Sequence, residues 1–248
     1  MPDPTMTDGL PATVETALRE FVAAAHRALG EDLISVLLFG SAAEGRLRAA
    51  SDVNVLVVLA RFTPARADAL REPVRAARAA IDLRPMFVLA SELPAAAEAF
   101  AVKFEGIRRR HRVLFGQDPL AAVRIPRTAA IARLRQVLLN QLLRLRASYI
   151  ETSLREEQLT VALAEAAGPL RAAAATLREL EGSPAASPKE ALQHAAAATG
   201  ISGWEQALAH MSQARETCFL PAGAAAPAML TLLEVIAALR DRAGRQVP

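Results

Sequence analysis

Cysteine is almost missing from this chain: Cys218 stands alone. That excludes an intrachain disulfide and any cysteine-built metal cluster. A reducing compartment suits such a chain, so a cytoplasmic location is expected. Lysine is almost missing too, with only Lys103 and Lys189, and arginine carries nearly all the positive charge. Together with the abundance of alanine, this reads as a bias of the coding genome and not as a sign of function. Aromatic residues are 4% of the chain, and none interrupts the densest basic run, Arg108-Arg109-Arg110-His111-Arg112. A single-strand binding surface interleaves cations with aromatics. A net charge of +3 is also too small to draw in nucleic acid by itself, so nucleic acid is not an expected partner. No stretch reads as a membrane span. The most apolar late segment, 222–239, is rich in alanine and holds Pro227 and Glu234, which suits a buried helix. Residues 1–11 carry Asp3 and Asp8 and have no basic region before an apolar core. They do not read as a signal peptide.

What is present is a chain of 248 residues, 52% apolar and 22% charged. That suffices for two modest domains. Apolar periodicity predicts a helix over 11–29, ended by Gly30. A strand is expected over Leu33–Phe39, a short helix from Ala42 to about Arg48, and a second strand over Val53–Leu59 with both faces covered. Helix 64–80, strand 82–89, helix 94–104 and a short strand or extended link at 113–116 follow. Residues 116–127 hold two prolines and lose the period, which places a domain boundary there, with one domain over 1–120 and another over 121–248. The second half reads as five helices. Thr128 and three Ser-x-x-Glu boxes, at Ser153, Ser187 and Ser202, are the expected helix starts. Short loops between such helices make a bundle. The four histidines are scattered without metal-ligand spacing, and Trp204 and Tyr149 read as bundle core.

The most informative stretch is 37–59. An apolar run ends in Gly40-Ser41, Gly45 follows, and Ser51-Asp52-Val53-Asn54 opens the next apolar run. Gly40 has no Cβ, so a phosphate can approach the backbone. Ser41 adds a hydroxyl that can cap a following helix, whose N-terminus would suit a triphosphate. Asp52 and Asn54 are two residues apart on a strand, so both side chains leave the same face.

These residues resemble the signature of the nucleotidyltransferase superfamily that includes DNA polymerase beta and the aminoglycoside adenylyltransferases. The family pattern is an apolar strand, Gly-Ser, a later Gly, then Ser-Asp-x-Asp entering a second strand. The resemblance implies an α/β nucleotidyltransferase domain, a small mixed sheet with flanking helices, followed by an all-α helical bundle. It implies transfer of a nucleoside monophosphate from a nucleoside triphosphate such as ATP to an acceptor, a small molecule or a protein, as in bacterial relatives. It casts Asp52 and Asn54 as catalytic, Asp52 as the magnesium ligand, and Gly40, Ser41 and Gly45 as nucleotide-binding. A homodimer is compatible with it.

One position departs from the pattern: Asn54 stands where the family has its second acid. An amide oxygen can still face a metal but brings no charge. Two unit charges about 4 Å apart interact by about 4 kcal/mol at an effective dielectric near 20. One magnesium ion carried in with the nucleotide remains feasible, because magnesium is commonly held by one or two carboxylates plus phosphates. The family's third acid lies on a strand that reads Arg-Pro, apolar, Glu. Here Leu83-Arg84-Pro85-Met86-Phe87 aligns with it and puts Phe87 at that place, with Asp82, Glu92 and Glu105 as nearby alternatives. Two further readings therefore stand beside an active transferase. One is an inactive member that binds nucleotide or a partner protein; the other is a scaffold that has lost its ligand.

Overall fold

The computed structural model describes residues 9–47 and 51–246. The chain divides into two compact units. One takes the residues up to Ala97 together with Phe104–Arg124, and the other takes Glu98–Lys103 together with the residues from Ile125 onward.

The first unit is built on a four-stranded mixed sheet in the order β3-β2-β1-β4. β1 (Leu33–Phe39) and β2 (Val53–Leu59) are antiparallel. β3 (Leu83–Leu89) runs parallel to β2, and β4 (His111–Gly116) antiparallel to β1. Helix α1 (Ala12–Leu29) stops at Gly30, whose φ of +57° is costly for a residue with a Cβ. Helix α2 (Pro64–Ile81) starts at Thr63, whose side chain accepts from Arg66 N–H, with proline in the first turn. It crosses from β2 to β3, as a parallel pair requires.

Period-two alternation sorts the strand residues into two faces. Val36, Leu38, Val53, Val55, Val57, Leu59 and Leu83 join one core cluster with Leu18, Phe21 and Ala25 of α1 and Leu70 of α2. The opposite face carries Leu37, Leu56 and Val58, all at 0% exposure. Both faces of β2 are thus covered, which accounts for its near-continuous apolar sequence. Asn54 belongs to this second face.

Three local expectations need correction. No helix follows Ser41: residues 41–45 form turns, closed by Glu44 N–H to Gly40 O and Arg46 N–H to Ser41 O. Gly40 and Gly45 both have positive φ, +78° and +67°, which ends helical geometry on either side of the alanines. Arg48 lies outside the described residues. The helix expected over 94–104 is two, α3 (Leu93–Ala99) and α4 (Ala101–Arg109). The break falls at Phe100, whose ring packs 5.2 Å under the Arg133 guanidinium. β4 begins at His111, earlier than the apolar run suggests, because pairing with β1 takes in His111 and Arg112 regardless of polarity.

The second unit is a bundle of α5 (Arg127–Thr152), α6 (Glu156–Leu180), α7 (Pro188–Ala197), α8 (Trp204–Thr217) and α9 (Ala225–Gly244). Leucines 134, 138, 142 and 145 of α5 meet Leu159, Leu163, Leu170 and Leu177 of α6 and Leu232, Ile236 and Leu239 of α9 in one core. Trp204 and Tyr149 are partly buried against it. Of the expected caps only Ser187 acts as one, accepting from Glu190 N–H at 3.2 Å. Glu190 answers with the N–H of Ala186, not that of Ser187. Thr128 lies inside α5, whose first turn is set by Pro126. Ser153 closes α5 and α6 begins at Glu156, while Gly203 precedes α8 with no side-chain cap.

Candidate functional site

The site expected from sequence falls wholly within the first unit. β1 delivers the chain to Gly40 at the end of a central strand, and β2 starts beside it. Phe39 pairs with Asn54 across the two strands. The turn then carries Gly40 over the Asn54 side chain: a Cβ built on Gly40 would stand 3.6 Å from Asn54 Nδ2. Gly40 and Asn54 are therefore brought together, and Ser41 follows Gly40 in the turn. Asp52 is exposed and sits just before β2, at the same end of the strand.

Gly45 closes the turn from the other side, where β4 meets it. Arg112 Nε donates to the Ala43 carbonyl at 2.7 Å, and Arg112 Nη2 lies 3.9 Å from the place of a Gly45 Cβ. Arg110 pairs with Glu44 at 3.1 Å. Burial pushes the Arg110 guanidinium down from its ordinary value, and the Glu44 carboxylate opposes that shift. The basic run thus splits by role. Arg108 and Arg109 pair with Glu105 on their own helix, whereas Arg110 and Arg112 tie down the Gly40–Gly45 turn. Glu44 was not singled out in the sequence, since its role depends on β4 returning alongside β1.

The register answers where a third acid would stand. Asn54 pairs with Arg84 and Val57 with Phe87 in the parallel β2–β3 ladder. Paired residues share a face, so Phe87 lies on the side of the α1/α2 core and not beside Asn54. The residue next to Asn54 is Arg84, which is exposed and ion-paired to Asp82 at 3.0 Å. Arg84, Asn54, Phe39 and His111 form one row across all four strands. The other acids named from sequence are engaged locally: Glu92 accepts from Leu89 N–H, and Glu105 holds Arg108 and Arg109. Among the described residues no group of three or more His, Cys, Asp or Glu is placed to hold a metal. One carboxylate, Asp52, and one amide, Asn54, do not make a two-ion site. Asp52 and Asn54 are the two residues of this set whose oxygens could hold one magnesium ion together with phosphates and water.

No family model matches the chain, and no curated protein matches it in sequence. The fold does match solved structures. Spectinomycin adenyltransferase AAD(9) from Enterococcus faecialis, crystallised with ATP and spectinomycin, superposes with a TM-score of 0.61. The match covers 93% of this chain and 99% of that one at 13% identity. The likeness is one of architecture: this chain has a nucleotidyltransferase fold, a small mixed sheet with flanking helices joined to a helical C-terminal part. Among the described residues no helix is long and apolar enough to cross a membrane.

Proposed function

We propose that this chain is a nucleotidyltransferase that takes a nucleoside triphosphate at the Gly40–Gly45 turn. It passes the nucleoside monophosphate to an acceptor, a small molecule or a protein, and releases pyrophosphate. The observation that carries this reading is the placement of the Asn54 amide 3.6 Å from where a Gly40 Cβ would stand, with Asp52 exposed at the same end of β2. A turn without a Cβ at Gly40 lets phosphate oxygens approach the backbone. Arg110 and Arg112 hold that turn in place and set positive charge beside it. Asp52 is the magnesium ligand, with the Asn54 amide oxygen as a neutral second donor. A magnesium ion arriving with the triphosphate would neutralise charge on the phosphates. ATP as donor is in keeping with the adenyltransferase of the same fold. The single exposed cysteine, Cys218, suits a cytoplasmic enzyme.

A second reading has its own observation. The missing acid at Asn54, and the absence of a three-carboxylate group among the described residues, favour a member that binds nucleotide without turnover. Pyrophosphate release separates the two. Purified chain is mixed with magnesium, each of ATP and GTP, and hydroxylated small molecules or candidate proteins. Release that depends on the acceptor and is lost in Asp52→Ala supports the transferase. Magnesium-dependent binding without release supports the binding protein.

A further inference from the structure

Helix α5 buries one side and leaves the opposite side apolar. Leu134, Leu138, Leu142 and Leu145 point into the bundle. With 3.6 residues per turn, Leu143, Ala147 and Ile150 fall within about 60° of one another on the far side. Leu154, in the turn just past the helix, continues the line. Leu143 is 55% exposed, Ile150 80% and Leu154 98%, and Ala147 is exposed as well. An isolated exposed leucine needs no explanation. A row with the 4-3-4 spacing of a helix-pairing seam does, because such spacing presents one continuous stripe to a partner.

We infer that two copies of this chain pair through this stripe, α5 against α5 and antiparallel. The charges beside the stripe select this occupant. Arg144 and Glu151 are seven residues apart, so they share one flank to within about 20°. In an antiparallel pair centred between Ala147 and Ile150, Ala147 of one copy meets Ile150 of the other, and Leu143 meets Leu154. The same register brings each Arg144 within two residues of the other copy's Glu151 along the seam, about 3 Å of helix rise, which long side chains span, so the ion pair forms twice. Arg144 is already held on that flank by Glu165 at 3.0 Å. One patch that satisfies itself on rotation is the property of a two-fold interface. This inference stands independently of the proposed reaction.

Sedimentation equilibrium on the full chain tests it. The wild type is expected to show twice its 26.4 kDa chain mass at micromolar concentration. Ile150→Glu is expected to sediment as a monomer with unchanged helical circular dichroism. Glu151→Arg should weaken pairing by about tenfold or more, because like charges then face each other. The double change Arg144→Glu with Glu151→Arg should recover most of that loss. A wild type that stays monomeric over the whole range overturns the inference. So does a dimer that survives Ile150→Glu, or a double variant that pairs no better than Glu151→Arg alone.

Discussion

The Asn54 side-chain amide lies against Gly40, with Nδ2 3.6 Å from the position a Cβ would occupy there. Two glycines near this unit's strand ends make contrasting predictions from that kind of geometry. Gly40 has a φ of +78°, and its added Cβ would meet only ordinary contacts. Gly40→Ala should therefore cost about 1–2 kcal/mol of left-handed strain. Gly116 has a similar φ of +76°, but its added Cβ would run into the Ile34 carbonyl oxygen. Backbone must move there, so Gly116→Ala should lower the melting temperature clearly more than Gly40→Ala. Thermal melts of the two variants check the order.

Arg112 acts on the site through the turn. Arg112→Ala removes the bond to the Ala43 carbonyl and should weaken nucleotide binding several-fold. Glu44→Gln, which weakens the tie to Arg110, should do the same to a smaller degree. Fluorescent-nucleotide titration measures both. Equal affinity in all three proteins would show that the turn holds itself.

A cluster away from the site predicts acid sensitivity. Asp32 is buried and pairs with Arg61 at 2.9 Å and Arg66 at 3.0 Å. The hydrogen bond from Arg61 is the main reason its carboxyl titrates below the usual aspartate range, with burial opposing and the charges of Arg61 and Arg66 assisting. A depressed folded value means the carboxylate contributes stability above the unfolded value and loses it as pH falls through the folded one. The stability gap between wild type and Asp32→Asn should hold from pH 7 down to about 5 and shrink below about 4. Melts of both proteins across that range are the check.

The strands around the candidate site were legible in sequence where punctuation and hydrophobicity agree. β1 and β2 are apolar runs bounded by Gly40 and Asp52, and both appear with the expected limits. A dozen residues between two apolar runs, with Ser41 as a cap, suggest a short helix from Ala42, but the left-handed Gly40 and Gly45 leave residues 41–45 as turns. His111 and Arg112 gave no strand signal, since their strand state comes from pairing with β1. The capping boxes at Ser153 and Ser202 have the right spacing without the right backbone. The face of Phe87 depends on the β2–β3 register, which no spacing within one strand reveals.

That register changes the route to repairing the site. Asn54→Asp adds a charge beside Asp52 and should tighten magnesium-dependent nucleotide binding about tenfold. Adding Arg84→Glu places a second acid in register with it and should tighten binding further. Adding Phe87→Glu should give nothing beyond Asn54→Asp, because position 87 lies on the other face. Magnesium titrations of the single and double variants decide between the two positions. A gain from Phe87→Glu would contradict the strand register.

The central claim is that Asp52 holds magnesium against a triphosphate seated on the Gly40–Gly45 turn. Isothermal titration of ATP and GTP into the full chain, with magnesium and then with chelator, tests it most directly. Binding is expected with magnesium and should fall at least about tenfold with chelator. Asp52→Ala should bind as weakly with magnesium as the wild type does without it, at an unchanged melting temperature, because Asp52 is exposed. Wild-type affinity in Asp52→Ala, or no nucleotide binding by the wild type at all, would contradict the account.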